Sequence, residues 1–110
     1  MAVFIIHRAA RGEGYQFTLE SSQGEALLMS EVYEDFETCW HDVEPIRIYA
    51  PLESRYERIN RIHEYTFWLK SANQKLIARS ARKYASAASR DQAIERAKWE
   101  APLANVRIEN

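Results

Sequence analysis

The chain has 110 residues, 46% of them apolar and 28% charged, with a net charge of −1 and one cysteine. That balance suits one compact domain, residues 1–110, and excludes a disordered chain; a lone Cys39 excludes an intrachain disulfide framework. The longest apolar run, AVFII at 2–6, is too short to span a membrane and lacks the flanks of a signal peptide, so a cytoplasmic setting is expected.

The segment VFIIHR (3–8) reads as a first strand. RGEG (11–14) has two glycines but no following Lys-Ser or Lys-Thr, so it is a turn and not a phosphate loop. Tyr15, Phe17 and Leu19 alternate with Gln16, Thr18 and Glu20, which is strand spacing. SSQG (21–24) makes a tight turn, and a third strand follows near 25–32. Asp35 is a good N-cap, because its carboxylate can accept from free backbone N–H groups. Phe36, Cys39, Trp40, Val43 and Ile46 then form one apolar helical stripe. Pro45 falls inside it and predicts a kink or an early end, since proline removes a hydrogen bond and clashes one turn back. Pro51 lies past the helix end, and SRYERI (54–59) is extended.

The pattern then returns. Tyr65, Phe67 and Leu69 repeat the strand spacing, SANQ (71–74) repeats the turn, and a strand near 75–82 follows. Ser86 caps a second helix with a slimmer stripe of Ala87, Ala88, Ile94 and Ala97. Pro102 and the extended NVRIEN (105–110) close the chain. Aligned without gaps, Tyr15/Tyr65, Phe17/Phe67, Leu19/Leu69, Ser21/Ser71, Leu27/Ile77 and Ser30/Ser80 are fifty positions apart. After one added residue near Lys83, Tyr33/Tyr84, Glu44/Glu95 and Pro51/Pro102 are fifty-one apart. Self-similarity at a fixed period predicts a pseudo-symmetric domain, repeat one over 1–55 and repeat two over 56–110, each covering an apolar face of the other.

LKSANQKLIARS (69–80) and DQAIERAKWEAP (91–102), with looser counterparts LESSQGEALLMSEVY (19–33) and CWHDVE (39–44), resemble the YegP-like family of small tandem-repeat proteins. Gln74 stands where that family's hairpin has glycine, and Asp42 and Ala93 where its helix has glycine. The resemblance implies an α+β fold: two tandem β-β-β-α-β repeats forming one mainly antiparallel sheet, two helices packed on one face, and terminal strands exchanged between repeats. It supplies no catalytic residue and no cofactor.

A two-residue turn at Asn73–Gln74 predicts the hairpin register. Leu69 then opposes Ala78 and Phe67 opposes Ser80 on the helix-covered face. Trp68 opposes Arg79 and Lys70 opposes Ile77 on the other face. In repeat one Thr18 opposes Met29 and Glu20 opposes Leu27 there. That second face would carry Leu27, Met29, Trp68, Lys70, Ile77 and Arg79, and large apolar residues on an uncovered face point to a contact site. The plainer expectation is local: Arg79 stacked on Trp68 as a cation–π pair.

Little else reads as chemistry. His7, His41 and His63 stand apart, and Cys39 and His41 point in different directions on a helix, so no zinc site is expected. Cys39 on the apolar stripe reads as a buried structural thiol. Glu34, Asp35 and Glu37 read as carboxylates that offset a helix dipole. The charge is split: residues 1–51 hold three basic and nine acidic residues, net −6, and residues 52–110 hold twelve and seven, net +5. The split fits complementarity within the molecule, head-to-tail association, or an anionic partner of the basic half.

These features favour a non-enzymatic interaction module that meets a protein partner or a second copy of itself, with no membrane and no small-molecule cofactor. The alternative is single-stranded nucleic acid held by Lys70, Arg79, Arg82, Lys83 and Arg90 beside Trp68, Tyr65 and Tyr84. The acidic first half opposes that alternative.

Overall fold

A computed structural model describes residues 1–10 and 12–109. The expected turn at RGEG therefore lies partly outside the described residues. Seven strands form one mixed sheet: β1 (Val3–Arg8), β2 (Tyr15–Glu20), β3 (Ala26–Met29), β4 (Tyr56–Arg61), β5 (Glu64–Lys70), β6 (Leu76–Ser80) and β7 (Asn105–Ile108), in spatial order β4-β5-β6-β3-β2-β1-β7. All neighbours are antiparallel except β1 and β7, which run parallel. The α+β class follows, with all helices on one face of that sheet.

The helices are α1 (Phe36–His41), α2 (Val43–Tyr49) and α3 (Ala87–Glu100). Both expected caps form: the Asp35 carboxylate accepts from the Thr38 N–H at 2.8 Å, and the Ser86 hydroxyl from the Ser89 N–H at 3.1 Å. The first helical stripe is broken at Asp42, so two short helices replace one. Pro45 thereby falls in the first turn of α2, where a missing N–H costs nothing. Trp40, expected on the buried stripe, lies just before the break and is 43% exposed.

Phe4, Ile6, Phe17, Leu19, Leu28, Phe67, Leu69 and Ala78 line the covered face of the sheet and are fully buried. Cys39 of α1, Val43 and Ile46 of α2, and Ala93, Ile94 and Ala97 of α3 pack on that face, with α1 against β2, α2 against β6, and α3 against β3 and β5. Alanine lets α3 approach the sheet closely, which explains its slim stripe. Each large buried side chain contributes about 1.5–3 kcal/mol.

Several local devices recur fifty residues apart. The Phe17 N–H donates to the Ser30 hydroxyl at 2.9 Å, and the Phe67 N–H to the Ser80 hydroxyl at 3.3 Å. Tyr15 bridges Tyr33, and Tyr65 bridges Tyr84. Each hairpin turn ends in the left-handed region, at Gly24 (φ 83°) and at Gln74 (φ 69°).

Those turns differ from the expected two-residue form. Gln74 N–H donates to Ser71 O, and Ser71 N–H to Lys75 O, which encloses the three residues Ala72–Gln74. Ser21, Gly24 and Glu25 make the same pair of bonds. The longer loop shifts pairing by one residue, so Lys70 opposes Leu76 and Glu20 opposes Ala26. A bulge at Ile77 and at Leu27 then restores the expected register, and Trp68 opposes Arg79 and Thr18 opposes Met29.

Candidate interaction surface

A bulged residue changes face, and this corrects two of the six expected contact residues. Leu27 is fully buried in the core beneath the helices. Ile77 also lies on the helix side, in a depression it shares with Pro45 and Tyr49 of α2. Met29, Trp68, Lys70 and Arg79 remain on the uncovered face.

On that face the registers chain into one row across all seven strands. Glu57 opposes Trp68, Trp68 opposes Arg79, and Arg79 opposes Met29. The row continues through Thr18 and Ile5 to Arg107. Its ends are charged, and between them the apolar Trp68, Met29 and Ile5 alternate with Arg79 and Thr18. Trp68 is 37% exposed, and Met29 is half-buried between Arg79 and Thr18. Met29, Thr66, Trp68, Arg79 and Arg82 help to line a depression of about 260 Å³. That is below the usual range for a small-molecule site, roughly 300–1,000 Å³.

The cation on Trp68 is not the expected one. The Lys70 ammonium lies over the ring, 5.6 Å from its centroid, and also pairs with the Glu57 carboxylate. Arg79 turns instead to Glu31 at 3.4 Å. Two residues along a strand place Lys70 on the same face as Trp68, so its stem reaches the ring without crossing the ladder.

The other cations of the basic cluster are also engaged. Arg82 pairs with Glu25 at 3.5 Å and lies over the Tyr84 ring, and Lys83 pairs with Glu64 at 2.8 Å. Arg90 is 3% exposed, not a surface cation. Its Nη1 donates to the Asn60 side chain at 2.7 Å and reaches the Ile59 and Thr66 carbonyls, and its guanidinium lies over Tyr65. The opposite charges of the halves are partly used at home: Arg79–Glu31, Arg82–Glu25 and Arg96–Glu25 all join residues 52–110 to residues 1–51.

The titratable groups are structural in character. Burial, with the Asp42 carboxylate nearby, pushes the Cys39 thiol up to about 11, so it stays protonated at neutral pH. Hydrogen bonds from Arg58 and Lys98 hold the Glu53 carboxyl down to about 2. His7 Nε2 is 2.9 Å from the Thr18 hydroxyl, and His63 occupies a turn at φ 60°. Among the described residues no three His, Cys, Asp or Glu side chains converge to hold a metal ion. A cavity of about 560 Å³ is lined by Glu13, Gly14, Val32, Tyr33 and Glu34, and joins no base to a nucleophile.

The reading from sequence missed Glu57, because it took SRYERI as a closing segment and not as a strand paired with β5. The β4–β5 turn, Ile62-His63, contains none of the usual turn residues, so nothing local announced it.

Residues 63–107 match the model of a domain of unknown function, DUF1508. A UPF0339 protein in the ptx operon 5' region of Stutzerimonas stutzeri is 39% identical over 104 residues, covering 94% of this chain and 92% of that protein. The UPF0339 protein YegP of Escherichia coli is 33% identical over 81 residues, 73% of each chain. The solution NMR structure of Escherichia coli YegP overlays with a TM-score of 0.85 at 28% identity, covering 98% of this chain and 92% of that one.

Proposed function

This chain belongs to the UPF0339 (YegP-like) family, and we propose that it is a non-enzymatic interaction module whose uncovered sheet face takes a protein partner or a second copy. The observation that carries this reading is the row from Glu57 to Arg107, where Trp68 and Met29 stand uncovered by any helix. An uncovered sheet face is normally polar, and large apolar groups kept there suit a contact. The finer form of the fold belongs to the same proposal: one β-β-β-α-β motif copied and fused, its last strands crossing between halves. The recurring serine bonds, bulges and left-handed turn residues support that history. A reducing cytoplasm suits the single buried thiol.

Trp68→Ala tests the function. The variant is expected to keep its far-UV spectrum and cooperative melt while losing partner capture or self-association. Global unfolding of Trp68→Ala, or undiminished capture, would sink the reading.

Single-stranded nucleic acid is the second reading, supported by cations seated over two aromatic rings, Lys70 on Trp68 and Arg82 on Tyr84. Against it, each of those cations already has a carboxylate partner. Titrating the protein with a short oligonucleotide at low salt decides the matter: unchanged tryptophan fluorescence ends this alternative.

A further inference from the structure

The strand β4 is an edge of the sheet, hydrogen-bonded only to β5. Its outward-facing backbone groups can be identified. Tyr65 exchanges both of its backbone bonds with Tyr84, at 2.9 Å each, so its N–H and C=O point away from β4. In an antiparallel pair such groups alternate. Tyr65 opposes Asn60, so Glu57, Ile59 and Arg61 bond to β5. The N–H and C=O groups of Arg58 and Asn60 point to the free edge, an unfilled template for another strand.

From this edge the geometry points to a second copy of the chain as the occupant, joined β4 to β4 about a two-fold axis. Antiparallel self-pairing must place outward residues opposite each other, which leaves few registers. Setting Arg58 against Arg58 of the second copy opposes like charges. Setting Asn60 against Asn60 leaves Ile59 facing an arginine. Setting Arg58 against Asn60 is the register with complementary partners: Glu57 faces Arg61 twice, and Ile59 meets Ile59 on the axis. The side chains of Glu57 and Arg61 are exposed and that of Ile59 is half-buried, and Glu57, which already pairs with Lys70 of its own chain, would take Arg61 as a second cation. The β4 sequence is thus charge-complementary to itself. Arg90 braces this edge from the helix side by holding Asn60 and the Ile59 carbonyl. Pairing would continue the sheet across both molecules and leave the two uncovered faces side by side. The surface is the strand edge and not the face, so it does not depend on the face reading above.

A single strand edge buries less than the roughly 1,600 Å² of a standard interface, so the dimer is weak and forms towards millimolar protein. The test is sedimentation equilibrium at low salt up to about 1 mM protein. The weight-average mass of the wild type should rise with concentration to about one and a half times the chain mass, the value for a dissociation constant of about 1 mM, and E57K and R61E, each checked by far-UV spectroscopy, should stay monomeric. Mixing E57K with R61E should regenerate the dimer. The introduced lysine of one copy then faces the introduced glutamate of the other, and the unchanged Arg61 of the first faces the unchanged Glu57 of the second. Ile59→Lys, which sets two ammonium groups on the axis, should also be monomeric and covers the case in which E57K folds poorly. A wild type that stays monomeric throughout overturns the inference, as does a dimer indifferent to R61E and Ile59→Lys. A dimer abolished by Trp68→Ala but untouched by those two edge variants also overturns it, and assigns association to the sheet face.

Discussion

The guanidinium of Arg90 donates to the side-chain carbonyl of Asn60 across 2.7 Å, tying α3 to the edge strand β4. Sequence placed Arg90 among surface cations, yet it is 3% exposed. Removing it would take the donor from the Asn60 side-chain carbonyl and the second donor from the Ile59 and Thr66 carbonyls, empty a buried site and uncover the Tyr65 ring. Arg90→Ala should destabilise the fold by about 2–3 kcal/mol. Arg90→Lys should recover little, because one ammonium cannot span the same acceptors. Urea denaturation of the three proteins checks this, and a loss below about 0.5 kcal/mol for Arg90→Ala would contradict the assigned role.

Tyr56 and Tyr84 form an internal control. The Tyr56 hydroxyl donates to the Ala50 carbonyl at the end of α2, 2.7 Å away, whereas the buried Tyr84 hydroxyl has no partner. Deleting a bonded hydroxyl costs about 1 kcal/mol, while deleting an unpaired one removes a desolvation penalty. Tyr56→Phe should therefore lower the thermal midpoint, and Tyr84→Phe should leave it unchanged or raise it. Equal losses in both variants would show that Tyr84 finds a partner in solution.

The hairpin turns give opposite expectations for matched positions. Gln74 is a side-chain-bearing residue at φ 69°, which costs about 1 kcal/mol relative to glycine. Gln74→Gly should stabilise the protein by up to about 1 kcal/mol, less the extra freedom of glycine in the unfolded chain. At Gly24 (φ 83°) an added Cβ meets nothing within 4 Å, so Gly24→Ala carries only the backbone cost, about 1 kcal/mol. Chemical denaturation measures both. A destabilised Gln74→Gly would mean that the Gln74 side chain holds the turn by contacts of its own.

Glu53 sets an acid limit. Arg58 and Lys98 lower its carboxyl from 4.5 to about 2 in the folded chain. A depressed folded value means that the stability it contributes is fully present above about pH 4.5 and is lost as pH falls towards 2. Because the side chain is 57% exposed, solvent screening keeps that contribution small. The gap in thermal midpoint between wild type and Glu53→Gln should be widest near neutral pH and close as pH falls towards 2. A gap of constant width across that range would remove Glu53 from the acid response.

What the sequence determined by itself was local and periodic. Alternation marked β2 and β5, Asp35 and Ser86 marked helix starts, Pro45 marked a break, and the quoted motifs marked the family. Each follows from neighbours within one or two turns of chain, where backbone sterics and capping bonds decide. The Trp68–Arg79 and Thr18–Met29 pairings came out as expected only because a bulge in each hairpin offset the extra loop residue. Tertiary structure decided which way single residues point and which strands meet. A bulge of one residue moved Leu27 and Ile77 to the helix side, because side-chain direction in a strand flips with every position. The return of β7 to β1 and the burial of Arg90 arise from closing long loops, and the two-residue turn that pairs β4 with β5 carries none of the usual turn residues. Those contacts are selected by how the whole core packs, and no short window of sequence carries that information.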